Sequence, residues 1–570
     1  DKAMKQRGQK VQQVGAWRLN LVRIMFVLMV AGLCWRLADI QVLNPEFLRH
    51  QGDARHLRQV PIVAHRGMIV DRHGEPLAIS TPVHSVWLNP QDVLASDPRI
   101  PQLAQLLGLS VQKIKNKIEE NQSREFVYLK RRITPELSAK VKALGIQGVA
   151  LQREYKRYYP AGEVASHIVG FTNIDDIGQE GLELTYDAVL TGRPGLKRMV
   201  RDSRGNYVEG GELIRPAKSG ENVQLSIDLR LQYLTYQALK KTVAEHQAKS
   251  GTAVILDTRT GEVLAMANQP SYNPNNRAGL KPSDLRNRAV TDLFEPGSTV
   301  KPFTVVSGIK SGEFDQSTII NTHPGYYRVS GHPIKDFRDY GEIDLTTLIQ
   351  KSSNVGASKI ALALDPAELW HDFASFGLGE ATGAYFPGEA MGTMPDPQSW
   401  HTLDIATMGY GYGLSTSAMQ LARAYTVLAD GGILKPVTFI KTDKVPKGRR
   451  EFSADIMRDV VQMMVKVIEP GGTATRAAVA NYHVAGKTGT AKKAISGGYA
   501  DDRYQSVFAG IIPASAPRLA MVVMIDEPQG EYYGGAVAAP VFAEVMAGAM
   551  RLLNIAPDDL PMTQMQVAHK

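Results

Sequence analysis

The chain is 570 residues long, 44% hydrophobic and 21% charged, a globular composition too long for one compact domain of ordinary size. Lys+Arg outnumber Asp+Glu by 65 to 57, a net +8, but no basic run is interleaved with aromatics, which argues against a nucleic-acid partner. The single cysteine, Cys34, excludes an intramolecular disulfide, and the 13 histidines show no His-x-x-x-His spacing, so neither a metal nor a cofactor is expected.

Met4 is read as the natural start, and Asp1-Lys2-Ala3 is set aside. A short basic tail over 1–18, with Lys5, Arg7, Lys10 and Arg18, precedes an apolar stretch over 19–43. Arg23 and Arg36 flank its uninterrupted centre and can snorkel, while Trp17 and Trp35 suit the interfaces, so the stretch is expected to be a retained single-pass membrane anchor with the basic end cytoplasmic. No Ala-x-Ala cleavage site follows, and Leu33 ahead of Cys34 does not suit a lipoprotein signal. The bulk of the chain then lies outside the cytoplasm.

Over 44–220, short β-rich runs such as Met68-Ile69-Val70, Ser85-Val86-Trp87-Leu88 and Phe126-Val127-Tyr128-Leu129 alternate with one amphipathic helix candidate over 103–120. No catalytic constellation assembles there. The turn-forming stretches around Arg66–Gly74 and Tyr159–Gly162 carry charges able to pair, and the region reads as a folded, elongated, non-catalytic pedestal. Past Asp228, a good N-cap, 229–247 predicts an amphipathic helix. A hairpin of 253–257 and 262–266 follows, then a largely helical stretch over 286–468, strands over 482–491, 504–512 and 519–526, and an apolar helix over 541–553. That order predicts an α+β domain over 221–560, an antiparallel sheet flanked by helices with an all-helical subdomain, and a short tail over 561–570 without repeat modules.

The chemistry is expected at Glu295-Pro296-Gly297-Ser298-Thr299-Val300-Lys301-Pro302. A helix starting near Ser298 puts Ser298 and Lys301 on one face, with the Ser298 hydroxyl at the positive helix end, which is how an activated serine is built. Ser110…Lys113 and Ser307…Lys310 imitate the spacing, so order must decide. Ser352-Ser353-Asn354 supplies a second hydroxyl and an amide, and Lys487-Thr488-Gly489-Thr490 opens a strand edge with a cation, hydroxyls and a glycine that permits close backbone approach. Lys218, Lys249 and Lys310 each begin a Lys-Ser-Gly, and Ser271-Tyr272-Asn273 imitates the middle element. One ordered set follows a nucleophile: Ser298…Lys301, Ser352…Asn354, then Lys487 entering a strand.

This triplet resembles the signature of penicilloyl serine transferases. Its surroundings resemble class B penicillin-binding proteins: Arg66-Gly67-Met68-Ile69-Val70-Asp71-Arg72, Ser166-His167-Ile168-Val169-Gly170-Phe171, Gly178-Gln179-Glu180-Gly181-Leu182-Glu183, Thr260-Gly261-Glu262-Val263-Leu264-Ala265-Met266 and Phe294-Glu295-Pro296-Gly297. Lys351-Ser352-Ser353-Asn354-Val355-Gly356 looks like the division-specific member, since elongation-specific homologues tend to carry Asp at the position of Asn354.

The resemblance implies a D,D-transpeptidase that cross-links peptidoglycan stem peptides on lipid-linked nascent glycan strands and is a covalent target of β-lactams. Ser298, Lys301, Ser352 and Asn354 are the implied catalytic residues. Lys487, Thr488, Gly489 and Thr490 are the implied substrate edge, with backbone N–H groups of Ser298 and Thr490 as the oxyanion hole. Tyr410, Tyr499, Tyr504 and Tyr533 are candidates for an aromatic cleft wall, with plain core or rim packing as the alternative. Gly409-Tyr410-Gly411-Tyr412-Gly413 lacks the Gly-Lys-[Ser/Thr] of a phosphate loop and reads as a close-packed wall. Implied partners are a septal glycosyltransferase of the SEDS type and other divisome proteins in the bacterial inner membrane. The rival readings are a membrane-anchored serine β-lactamase, for which no Glu-x-x-Leu-Asn follows the middle element, and a non-catalytic β-lactam sensor or divisome scaffold, against which the intact triplet argues.

Overall fold

The computed structural model describes residues 16–39, 57–200 and 212–560. Most of the predicted basic tail, the end of the predicted anchor at 40–43 and the tail over 561–570 lie outside the described residues. The apolar stretch forms helix α1 (Ala16–Ala38), whose segment Trp17–Ala38 has a mean hydropathy of 1.9 and leaves its side chains exposed, as an anchor helix requires.

The chain divides into two compact units. The first draws on described residues of Asp1–Ala64, His84–Arg153 and Pro194–Lys218. It contains an antiparallel sheet in the order Leu57–Ile62, Gly195–Val200, Glu212–Arg215. Its core joins Val86, Leu88, Leu129 and Ile133 to the apolar faces of two helices, α2 (Ile100–Leu107) and α3 (Val111–Glu120). One helix is predicted there and two are found. Gly108 ends α2 in the left-handed region, at φ 63°, and Ser110 caps α3 by accepting from Lys113 N at 3.2 Å. Ser110…Lys113 is therefore a helix cap.

The second unit, His65–Val83, Glu154–Arg193 and Ser219–Lys570, holds the large core and all the candidate residues. Asp228 caps α4 (Leu229–Glu245) through Arg230 N and Leu231 N, as predicted. The sheet follows as β1 (Ser250–Asp257) and β2 (Val263–Gln269). The helical stretch includes α5 (Lys301–Ser311), α6 (Leu345–Lys351), α7 (Asn354–Ala363) and α8 (Ala418–Ala429), with short strand pairs such as Tyr326–Val329 against His332–Lys335 let into it. The chain then adds β3 (Ala485–Ile495), β4 (Gly498–Ile512) and β5 (Leu519–Asp526) and closes with α9 (Ala539–Leu552).

The five strands are antiparallel throughout, in the order β2-β1-β5-β4-β3. Every residue of the central strand β5 is buried, which is why it reads as an unbroken apolar run and not as an alternating one. Helices α4, α8 and α9 pack on the sheet, and each fully buried Val, Ile or Phe adds roughly 1.5–3 kcal/mol. This order leaves β3, the strand that carries Lys487, at an edge of the sheet.

Candidate active site

Ser298 lies in a 3-10 turn, Gly297–Val300, that leads directly into α5 at Lys301. The predicted helix start is thus a tighter turn followed by an α-helix, and the turn is clamped by its neighbours. Gly297, at φ 53°, donates its N–H to Gly411 O at 3.0 Å, and a Cβ on Gly411 would stand 2.0 Å from Gly297 O, so only glycine fits there. Within the 409–413 glycine run, Gly409 and Gly411 are close-packed, against Ala357 and Gly297, whereas Gly413 has open space beside it. The buried Tyr425 hydroxyl of α8 donates to Thr299 O at 2.8 Å. Gly489 on β3 faces the same turn, where a Cβ would come to 3.0 Å from Thr299 Cγ2 and 3.1 Å from Pro296 O.

Two amines meet beside this turn. Lys301 and Lys487 are both 0% exposed. Lys301 Nζ donates to Ser352 O at 2.6 Å, Ser352 Oγ at 3.0 Å and Asn354 Oδ1 at 2.7 Å. Lys487 Nζ donates to the same Ser352 Oγ at 2.9 Å and to Thr488 O at 3.3 Å. No carboxylate pairs with either amine among the described residues. Burial, then the neighbouring Lys487 charge, holds the Lys301 amine well below the ordinary lysine range, with the more distant Asp336 opposing. Burial lowers Lys487 to about 7.

Ser352 joins the two lysines because it stands between α6 and α7 in the left-handed region, at φ 61°. That conformation turns both its carbonyl and its hydroxyl toward Lys301. On β3, Thr488 Oγ1 lies 3.0 Å from Thr473 Oγ1, and Thr490 Oγ1 accepts from Gly534 N at 3.0 Å, leaving its proton free to donate. The structure therefore gathers Lys301, Ser352, Asn354, Lys487 and Thr488 into one hydrogen-bonded group, with Ser298 in the turn that opens α5 and Gly489 packed against that turn.

The tyrosines divide into two sets. Tyr410 is half-buried against Tyr412, and Tyr412 meets Tyr499 edge to face at 5.9 Å. Tyr499 donates its hydroxyl to Glu295 Oε1 at 3.1 Å, which ties both to the Ser298 segment. Tyr504 instead stacks on Tyr532 at 4.0 Å, and Tyr532 packs on the exposed Tyr533, a stack that adjoins β3 through the Gly534–Thr490 bond. The sequence imitations are structural. Ser307 returns its hydroxyl to Phe303 O, Lys310 pairs with Asp372 at 2.5 Å, Lys249 is exposed beside Glu527, and Ser271 donates to Glu163 O.

Sequence reasoning missed Asp336 and Thr473, and it gave Glu295, at the head of the Ser298 stretch, no role. Asp336 reaches Asn354 from 18 positions away, and no local spacing announces it. Glu295 Oε1 also accepts from Gly413 N at 3.0 Å, while its Oε2 is buried without a hydrogen-bond partner among the described residues. Its place just before Pro296-Gly297-Ser298 was the available signal.

Comparison with known proteins agrees with this arrangement. Residues 251–547 match the penicillin binding protein transpeptidase domain, and residues 61–225 match the penicillin-binding protein dimerisation domain. The chain is 44% identical over 551 residues to the peptidoglycan D,D-transpeptidase FtsI of Escherichia coli K12, covering 96% of this chain and 93% of that protein. It is 41% identical over 545 residues to the probable peptidoglycan D,D-transpeptidase PbpC of Pseudomonas aeruginosa, covering 95% and 96%. Among solved structures, a peptidoglycan synthetase from Bifidobacterium adolescentis superposes with a TM-score of 0.71 at 25% identity, over 89% of this chain and 98% of that one. A transpeptidase match across more than half the chain, laid over the same strands and helices that assemble the two-lysine site, places this protein in the penicillin-binding protein transpeptidase family.

Proposed function

We propose that the chain is a serine-type peptidoglycan D,D-transpeptidase that cross-links stem peptides during septal wall synthesis and is acylated by β-lactams. The observation that carries this reading is the buried Lys301 amine, held below its ordinary pKa with no carboxylate partner among the described residues, one turn after Ser298.

In the mechanism this supports, neutral Lys301 Nζ takes the proton of Ser298 Oγ as that oxygen attacks the carbonyl between two D-alanines. Backbone N–H groups of Ser298 and Thr490 stabilise the oxyanion, each typically worth about 3 kcal/mol. As the C–N bond breaks, Ser352 passes the proton to the leaving D-Ala amine. Ser352 suits this relay because its hydroxyl contacts both amines. Lys487, Thr488 and Thr490 receive the terminal carboxylate, and Asn354 orients Lys301. An amine of a neighbouring stem then attacks the ester, its proton returning through Lys301, and Ser298 is released with the new amide formed.

The proposed layout is a cytoplasmic tail over 1–18, an anchor over 19–43, a pedestal over 44–220 and a periplasmic transpeptidase domain over 221–560. The proposed partners are a SEDS-type septal glycosyltransferase and other divisome proteins at the inner membrane. Intact-mass spectrometry with peptide mapping tests the central claim. One penicilloyl adduct is expected, on Ser298, and none on Ser298→Ala. An adduct that persists in the variant, or maps to Ser110 or Ser307, overturns the assignment.

A further inference from the structure

Ser352 is a non-glycine residue at positive φ, a strained conformation that persists only where the surroundings hold it. From the α6 side it is held by Ser352 N to Ile349 O and Ser353 N to Leu348 O. From the α7 side the holding group is Asp336. Its Oδ2 accepts from Ser353 Oγ at 2.6 Å, and its Oδ1 accepts from Asn354 N at 2.5 Å and Val355 N at 3.0 Å. The preceding residue completes the clasp, since Lys335 O accepts from Asn354 Nδ2 at 3.0 Å and so turns Asn354 Oδ1 toward Lys301.

At the start of α7 the two acceptors divide the free N–H groups: Ser353 Oγ accepts from Gly356 N at 2.9 Å, and Asp336 takes those of Asn354 and Val355. What the carboxylate adds is a fixed position for the backbone between the two residues that Lys301 touches. It also adds a charge, because the groups facing Lys301 are the cation Lys487 on β3, the neutral Ser352 and Asn354, and the anion Asp336.

We propose that Asp336 is a positioning residue for acylation: its carboxylate clasps the Ser353–Asn354 backbone so that Ser352 and Asn354 meet Lys301, and it brings a negative charge to that site. The inference rests on the assignment of Lys301 as the general base. The sign follows directly. Asp336 favours protonated Lys301, so removing its charge makes the lysine easier to deprotonate and moves the acid limb of the acylation profile to lower pH.

The test is the second-order rate of Ser298 acylation by a fluorescent penicillin, followed from pH 5 to 9, with thermal melts alongside to confirm folding. Three variants of the full chain are compared with wild type. Asp336→Asn keeps the shape and removes the charge, so its acid limb is expected at lower pH. Ser353→Ala removes one arm of the clasp together with the hydroxyl cap on Gly356 N and leaves the charge, so the rate is expected to fall with the limb unmoved. Asp336→Ala removes both, and about a 100-fold loss is expected together with the shifted limb. A limb that stays in place in Asp336→Asn, or a folded Asp336→Ala that acylates at the wild-type rate, overturns the proposal while the Ser298 assignment stands. A wild-type chain that takes no adduct at Ser298 overturns both.

Discussion

At the scale of single residues, the chemistry turns on keeping two lysines inside the protein without carboxylate partners. A guanidinium cannot give up its proton, so Lys301→Arg keeps a charge where a base is needed. Acylation of Ser298 is expected to fall at least ~1000-fold, measured by fluorescent-penicillin labelling of folded protein. Lys487 makes a separate, thermodynamic prediction. Its native pKa of about 7 lies below the ordinary lysine value, so between about pH 7 and 10.5 the unfolded chain binds more protons than the native one and stability rises with pH. Denaturant unfolding at pH 7 and 9.5 is expected to show wild type gaining on Lys487→Met by a few kcal/mol; equal pH slopes would contradict the buried, depressed amine. The nearby carboxylates also bear on the fate of the ester. Asp336 is occupied by Ser353, Asn354 and Val355, and Glu295 Oε1 by Gly413 and Tyr499, with Oε2 shut away from solvent. Neither is placed to aim water at an acylated Ser298, and even a ~1000-fold slower hydrolysis corresponds to about 4 kcal/mol of barrier. Penicillin is therefore expected to be consumed stoichiometrically, with a penicilloyl-enzyme lasting minutes to hours by intact mass. Turnover near one per second would favour the β-lactamase reading.

At the scale of elements, edge strand β3 must approach the 3-10 turn at Gly297–Val300 more closely than a side chain allows. Gly489 is the residue that permits it. In Gly489→Ala the new methyl meets Thr299 Cγ2 at 3.0 Å and Pro296 O at 3.1 Å, and the backbone oxygen cannot swing aside as a side chain would. The expected outcome is a strand displaced by a few tenths of an ångström, destabilisation of about 1–3 kcal/mol by thermal melt, and a disproportionate loss of acylation rate. A variant that melts and acylates like wild type would show that the approach is not tight. The lysine at the third residue of β3, and not the glycine alone, explains why Lys-Ser-Gly elsewhere in the chain carries no chemistry: Lys249 stands just before β1, exposed beside Glu527.

At the scale of the whole molecule, residues that the sequence reading assigns to the pedestal are built into the same compact unit as the sheet. Their centre is Glu183, 0% exposed, which takes Arg66 at 2.7 Å on one oxygen and Arg157 at 2.6 Å on the other, while Arg66 also pairs with Asp187 at 2.7 Å. Removing the shared anion leaves two buried guanidinium groups facing each other. Glu183→Ala is expected to lose about 3–5 kcal/mol by denaturant unfolding, much of it recovered in the double change with Arg157→Met, since Arg66 still has Asp187. A chain lacking the residues up to 43 is expected to be soluble and to label with penicillin at the wild-type rate, yet not to replace the full protein in dividing cells. Full complementation by the soluble form would reduce the anchor to a tether.

The apolar anchor candidate, the cap at Asp228 and the order of strands and helices are legible in the chain because each is written in residues near one another, and the triplet of Ser298, Ser352 and Lys487 because three short local motifs follow one another in a fixed order. Periodicity, capping and turn chemistry are local, and a glycine or a serine in the right place announces them. The sequence could also mislead locally, as in the single helix predicted where Gly108 and Ser110 end one helix and begin another. Only the tertiary structure decided which lysine meets which hydroxyl, that Ser352 sits at positive φ between two helices, and that Asp336 holds it there. Those facts depend on burial and on charges brought together from distant positions, and it is desolvation in the folded interior, which no local pattern encodes, that lowers the pKa of the Lys301 amine.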